Sequence, residues 1–89
     1  MSGMRGGQLE EMRNLARKFD NDGTQIHGLV QSLNSDTASS TSIWTGPAAE
    51  RFRGDWESYR PTLNKLVESL HDAAKAVRVN ADNIESATR

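Results

Sequence analysis

Apolar side chains recur along two long segments of the chain, in alternating steps of three and four residues. This is a heptad pattern, in which positions a and d of each repeat line one side of an α-helix. The first stripe is Leu9, Met12, Ala16, Phe19, Gly23, Ile26, Val30, Leu33 and Thr37. The second is Ala49, Phe52, Trp56, Tyr59, Leu63, Leu66, Leu70, Ala73, Val77, Asn80, Ile84 and Ala87. Because neither segment has the period of two that is typical of strands, the pattern predicts two helices, at about residues 8–38 and 47–87.

A polar segment at about residues 39–46 separates the stripes and predicts a turn. Gly46 is an acceptable N-cap, and Pro47 suits the first helical position, where its missing N–H costs nothing. A short polar link between two helices is typical of an antiparallel pair. We therefore expect an all-α fold: one antiparallel helical hairpin over residues 8–89, preceded by a flexible leader over residues 1–7.

Two sequence features weaken the predicted helices. The run DNDG, residues 20–23, is a turn signal inside helix 1. Since the stripe keeps its register through this run, we expect a continuous helix. Pro61 removes a backbone hydrogen bond to the Glu57 carbonyl and lies opposite the stripe, so it predicts a kink near residue 61.

The apolar stripe is wider than one partner helix can cover. Small hairpins without a disulfide or metal commonly oligomerise. We therefore expect two hairpins to form a four-helix bundle; the alternative is a thick stripe within a monomer. Additional apolar residues lie at position g of helix 1 (Leu15, Leu29) and position e of helix 2 (Val67, Ala74, Ala81). The expected partner interface is Leu15, Phe19, Leu29, Leu33, Trp44, Val67, Leu70, Ala74 and Ala81.

Charge and composition narrow the possible partners. The chain has 11 basic and 12 acidic side chains, a net charge of −1, and no block of like charge. Nucleic-acid binding needs a clustered cationic surface, so we expect no nucleic-acid partner. No run of apolar residues is long enough to span a bilayer, and the N-terminus has no secretory signal pattern. We therefore expect neither constitutive membrane insertion nor a cleaved signal peptide.

Candidate chemistry is sparse. His27 and His71 lie on different helices, without cysteine or a carboxylate pair, which makes a poor metal site. Residues 20–31 have some spacing of a calcium loop, but Gln25 and Gln31 replace its glycine and its bidentate glutamate. No base is placed to activate a serine of the linker. We expect no catalytic, cofactor-binding or metal-binding residue.

Trp44 lies three residues before helix 2, in the most Ser/Thr-rich part of the chain. One interpretation is structural: the indole covers the open end of the hairpin, as a hydrophobic staple does. The other is functional: the indole is presented to a second chain or a docking protein. The residues alone leave the two interpretations open.

The stretch WTGPAAERFRGDW, residues 44–56, resembles the signature of the WXG family, small helical hairpins exported by type VII (ESX-type) secretion in Gram-positive bacteria. The matching residues are Trp44 and Gly46 in the turn motif, Ala48 and Ala49 after it, and Phe52 and Trp56 on helix 2. Chain length and the absence of cysteine also fit the family. The amino-acid sequence of this stretch resembles that of actinobacterial members.

This resemblance implies a non-enzymatic secreted protein, made in the cytoplasm and acting as a substrate or partner chaperone. It implies a homodimer, or a heterodimer with a similar WXG-type hairpin, exported folded by an FtsK/SpoIIIE-like ATPase that binds directly or through the partner. Two alternatives remain: a cytosolic structural or adaptor hairpin, and a membrane-active secreted effector.

One feature departs from the family pattern. The export signal Tyr-x-x-x-Asp/Glu after helix 2 is absent, since the single tyrosine, Tyr59, is followed four residues later by Leu63. Three explanations are open. The chain is exported through the signal of a partner, its C-terminal tail is shortened, or the dimer forms a composite signal. The first of these is the interpretation we favour.

Overall fold

The computed structural model describes the backbone of residues 2–88 and the side chains of residues 7–88. Helix α1 spans Ser2–Ser39, a 3-10 turn spans Ser40–Ser42, and helix α2 spans Pro47–Ala87. The two helices pack against each other along a rod of 65 × 16 × 14 Å, which confirms the predicted two-helix hairpin. Helix α1 begins at Ser2. It passes through residues 20–23 without interruption, and α2 passes through Pro61.

The Ser/Thr-rich end of α1 satisfies the carbonyl groups that a helix C-terminus leaves without partners. Ser40 Oγ donates a hydrogen bond to the Thr37 carbonyl at 2.6 Å, and Thr41 Oγ1 donates to the Ala38 carbonyl at 3.1 Å. Ser42 Oγ donates to the Ser39 carbonyl at 3.0 Å. The hydroxyls that compete with helix formation in sequence therefore end α1 and begin the turn.

Gly46 permits the start of α2. Its φ of 106° lies in the left-handed region, where a side chain would be strained. From this position its carbonyl accepts the first helical hydrogen bond, from the Glu50 N–H at 3.0 Å, and Pro47 occupies the first helical position. The chain can thus reverse direction between Ile43 and Pro47 and start a helix at once.

The core of the hairpin is a single line of mostly small side chains. On α1 the buried residues recur every seven positions: Leu9, Ala16, Gly23, Val30 and Thr37. On α2 they are Ala49, Trp56, Val67, Ala74 and Ala81. A Cβ placed on Gly23 would lie 3.1 Å from Cε1 of His71 and 3.4 Å from Cβ of Leu70, so the glycine makes room for α2. Small residues on both helices let the backbones approach closely.

The phase of α2 differs from the expectation. Val67, Ala74 and Ala81, expected to face a second subunit, are buried against α1 at 8%, 0% and 0% exposure. Leu70, expected at the same interface, is half-buried beside Gly23. Conversely Phe52, Tyr59 and Leu66, expected in the hairpin core, are 44%, 65% and 44% exposed. Ala49 and Trp56 are buried in the predicted row, so the buried line moves to position e only beyond Pro61, where Val67, Ala74 and Ala81 fit closely against α1.

Candidate functional site: the apolar face and the tip

The hairpin has two different edges where α1 meets α2. On one of them, which we call the polar edge, side chains of α1 form hydrogen bonds with side chains of α2. Arg13 donates to Asp82 at 3.0 Å and to Glu85 at 3.2 Å. These carboxylates, Asp82 first, raise the pKa of the Arg13 guanidinium above its ordinary value. Asn34 Oδ1 accepts from Nε1 of Trp56 at 3.1 Å and from Arg60 at 2.9 Å. These bonds fix the two helices in register on this side.

Asp20 is the centre of the polar edge. Its carboxylate accepts hydrogen bonds from Nδ1 of His71, at 2.9 Å, and from the Arg78 guanidinium. These two bonds, the His71 bond first, lower the pKa of Asp20 below its ordinary value of 3.8. Gly23, one turn further along α1, leaves the space that the His71 ring occupies.

We expect acid to weaken the hairpin through Asp20. Because its pKa is lower in the folded protein than in the unfolded chain, its stabilising effect is present above the ordinary carboxyl pKa and is lost as the pH falls through the folded-state value. Asp20→Asn should therefore flatten the fall in the urea midpoint between about pH 6 and pH 2. Asp22→Asn, on the same helix and outside the ion pairs described, is the matched control. Identical pH profiles for Asp20→Asn and the unaltered protein would contradict this assignment.

Two open hollows of about 440 and 340 Å³ lie along the polar edge and share His27 and Asn64. His71 lines the larger of the two. Among the residues whose side chains are described, no group of three or more His, Asp or Glu could hold a metal ion.

The opposite edge, which we call the apolar face, has no such crossing bonds among the described side chains. Helix geometry decides which residues lie on each edge. On α1, a residue four positions after a buried residue lies on the polar edge. A residue three positions after a buried residue, or one position before it, lies on the apolar face. In an antiparallel hairpin the equivalent positions of α2 lie on the same side. The face comprises Met12, Leu15, Phe19, Ile26, Leu29 and Leu33 of α1, and Phe52, Tyr59, Leu66, Leu70, Ala73, Val77 and Ile84 of α2.

Large side chains of the apolar face are exposed in the single hairpin. Leu15, Leu29 and Leu33 are 42%, 62% and 45% exposed, and Phe52, Tyr59 and Leu66 of α2 are exposed to a similar extent. Exposed apolar residues that occur singly are normal, but a contiguous row marks an interaction site. The row therefore has the form of an interface.

The tip of the hairpin extends the apolar face. The rings of Trp44 and Phe52 lie 5.9 Å apart, centroid to centroid, at an interplanar angle of 44°. Arg53 holds the turn, since its Nη1 donates to the Trp44 carbonyl at 3.1 Å and to Ser40 Oγ at 3.0 Å. Trp44 remains 42% exposed and Ile43 87% exposed. The indole thus packs on the first turns of α2 and still presents part of its surface.

Trp56 is separate from this tip cluster. It is buried at 6% exposure between the helices and serves the hairpin core. Of the motif residues named from sequence, the structure therefore brings Trp44, Gly46 and Phe52 together. Asn34 and Arg53, which form hydrogen bonds to Trp56 and to the turn, lie outside the apolar pattern, so the heptad spacing does not predict their roles.

The family model described as "WXG100: Proteins of 100 residues with WXG" matches residues 7–88. The chain belongs to the WXG100 family. Members of this family are non-enzymatic secreted proteins that form dimers, and the family is one of type VII secretion substrates. Within the described residues, no helix has an apolar segment sufficient to cross a bilayer.

The chain is also similar to two known proteins, one in sequence and one in fold. The chain is 26% identical over 86 residues to protein YukE of Bacillus subtilis, covering 97% of this chain and 89% of the relative. Its fold is similar to EsxA of Geobacillus thermodenitrificans, with a TM-score of 0.84 at 22% identity, covering 90% of this chain and 89% of that one. Both organisms are Gram-positive but not actinobacterial. The expected similarity to proteins of Gram-positive bacteria is therefore supported, whereas the expected similarity to actinobacterial members is not.

Proposed function

We propose that this chain is a type VII substrate or partner chaperone, exported folded as a dimer whose two hairpins meet through their apolar faces. The observation that carries the proposal is the set of exposed large apolar residues on one edge, beside a polar edge that is already occupied by cross-helix bonds. Burying a side chain such as Leu29 contributes about 1.5–3 kcal/mol. A second hairpin would supply that burial in a four-helix bundle.

The tip of the hairpin contributes to the proposed dimer interface. Trp44 continues the apolar face beyond the first turn of α2, because its ring packs on Phe52. In this proposal the indole contacts the partner hairpin as well as its own α2. An FtsK/SpoIIIE-like ATPase would then act on the assembled dimer, binding this chain directly or binding its partner.

Trp44→Ala should reduce export while leaving most of the helical content intact, because the side chain lies outside the hairpin core. Helicity is measured by circular dichroism and export by the protein recovered in the medium of a type VII-competent host. Ile43→Ala is the matched control, since it removes a more exposed side chain from the same tip without removing the Trp44–Phe52 contact. Export of Trp44→Ala at the level of the unaltered protein would contradict a role for the tip.

A further inference from the structure

We propose that His27 of α1 and His71 of α2 together bind a zinc ion on the polar edge of the hairpin. The sequence places these histidines on different helices and gives no reason to pair them, whereas the fold brings both imidazoles to one hollow. Zinc binding at this place does not depend on the proposed function, because the polar edge lies opposite the apolar face.

The hollow of about 440 Å³ on the polar edge is lined by both imidazoles. A Cβ placed on Gly23 would lie 3.2 Å from Nε2 of His71, so this ring fills the space that a side chain at residue 23 would take. His27 follows Gly23 by one helical turn, which puts its Cβ about 5–6 Å from the same position. Side chains of a helix lean toward its N-terminus, so the ring of His27 can reach that of His71 by rotation about its own bonds.

Asp20 orients His71 as a metal ligand. Its carboxylate accepts the hydrogen bond from Nδ1 of His71 at 2.9 Å. A neutral imidazole that donates from one nitrogen has its lone pair on the other, so Nε2 is the nitrogen that a metal can use. A carboxylate behind a histidine ligand fixes the orientation of the ring and raises its basicity. Nε2 is also the atom that lies close to Gly23, on the helix that carries His27.

The surroundings of the two imidazoles favour a cation that prefers nitrogen. Glu68 lines the hollow and contributes a negative charge, and the described residues that line it include no lysine or arginine. Imidazole suits zinc, whereas calcium and magnesium need several oxygen ligands. Since no group of three or more described His, Asp or Glu residues could hold a metal, zinc has two protein nitrogens here, at about 2.0–2.1 Å, and water in its other positions.

Titration of the tag-free chain with zinc chloride, followed by calorimetry and thermal denaturation, tests the site. We expect one zinc per chain and a higher melting temperature, because a metal that joins both helices binds only the folded hairpin. The mass by light scattering should stay the same, and magnesium or calcium should leave the melting temperature unchanged. Absence of zinc binding would overturn the site. Zinc-induced growth of the particle would also overturn it, because the histidines of different molecules would then be bridged.

His27→Gln tests whether the two imidazoles act together. His27 is exposed, so the substitution should leave the helicity and the melting temperature in EDTA unchanged. We expect the zinc affinity to fall at least about tenfold, because His71 alone then remains as a nitrogen ligand. Asp22→Asn, which removes an exposed carboxylate of the same helix, is the control and should bind zinc as the unaltered protein does. Unchanged zinc affinity in His27→Gln would overturn the pairing of the histidines.

The positioning role of Asp20 has a separate test. Asp20→Asn keeps both imidazoles and should weaken zinc binding by about tenfold to a hundredfold, at a temperature where the hairpin stays helical. Imidazole ¹⁵N resonances of the unaltered protein should show the proton of His71 on Nδ1 and zinc on Nε2. Zinc on Nδ1, or an affinity that Asp20→Asn leaves unchanged, would overturn the role of Asp20.

Discussion

Trp56→Ala should unfold most of the hairpin at room temperature. Trp56 is the largest side chain of the core and is 6% exposed, and its Nε1 donates to Asn34 of the opposite helix. Truncating a buried tryptophan costs about 3–5 kcal/mol, a large part of the stability of any small domain. The remaining core near it consists of Ala49 and other small residues, which cannot fill the space. Thermal denaturation followed by circular dichroism measures the effect.

Two further substitutions separate packing from the hydrogen bond of Trp56. Trp56→Phe keeps an aromatic ring but removes the N–H, and since Asn34 still accepts from Arg60 we expect a smaller loss. Trp44→Ala removes an indole that is 42% exposed and should lower the melting temperature far less. If Trp56→Ala and Trp44→Ala melted at the same temperature, the assignment of Trp56 to the core and Trp44 to the surface would be wrong.

Leu29→Asp should separate the proposed dimer without harming the single hairpin. Leu29 is 62% exposed in the hairpin, so a carboxylate there stays hydrated as long as the chain is alone. In the dimer the same substitution loses about 1.5–3 kcal/mol of apolar burial and adds the desolvation of a charge. We expect at least about a hundredfold weaker association, measured by sedimentation equilibrium, and reduced export.

Val79→Asp is the control for Leu29→Asp. Val79 is also an exposed large apolar residue, at 48%, but its heptad position lies off the apolar face. The change should leave association near its original strength. Equal weakening by both substitutions would show that general acidity, rather than the apolar face, decides assembly, and it would remove the main support for the proposed interface.

The hairpin itself could be predicted from the sequence, because a spacing of three and four fixes which residues lie on one side of a helix. The spacing correctly gave the buried row of α1, from Leu9 to Thr37. It did not predict the change of phase within α2, where the buried line passes from Ala49 and Trp56 to Val67 and Ala74, because both lines have the same period of seven. A wide stripe has two edges, and only the fit of small side chains against α1 decides which edge is covered.

The heptad pattern could not predict the polar contacts between the helices, for a different reason. Arg53 and Asn34 are ordinary polar helix residues in sequence, and their roles depend on bonds to the turn and to Trp56 across the hairpin. The polar contacts between the helices join residues up to 72 positions apart, so they form only when the fold sets the helices side by side. Trp44 could be placed at the tip from sequence, whereas its ring contact with Phe52 required coordinates.

The contrasting surroundings of the two tryptophans give the protein a built-in optical reporter. The indole of Trp56 is enclosed and hydrogen-bonded, while that of Trp44 is partly hydrated. Their fluorescence should therefore peak at different wavelengths and respond to different events. Separation of α1 from α2 would redden the emission of Trp56, and docking of a second molecule over the tip would shift that of Trp44 to the blue. Folding and association could thus be followed separately in one unlabelled sample.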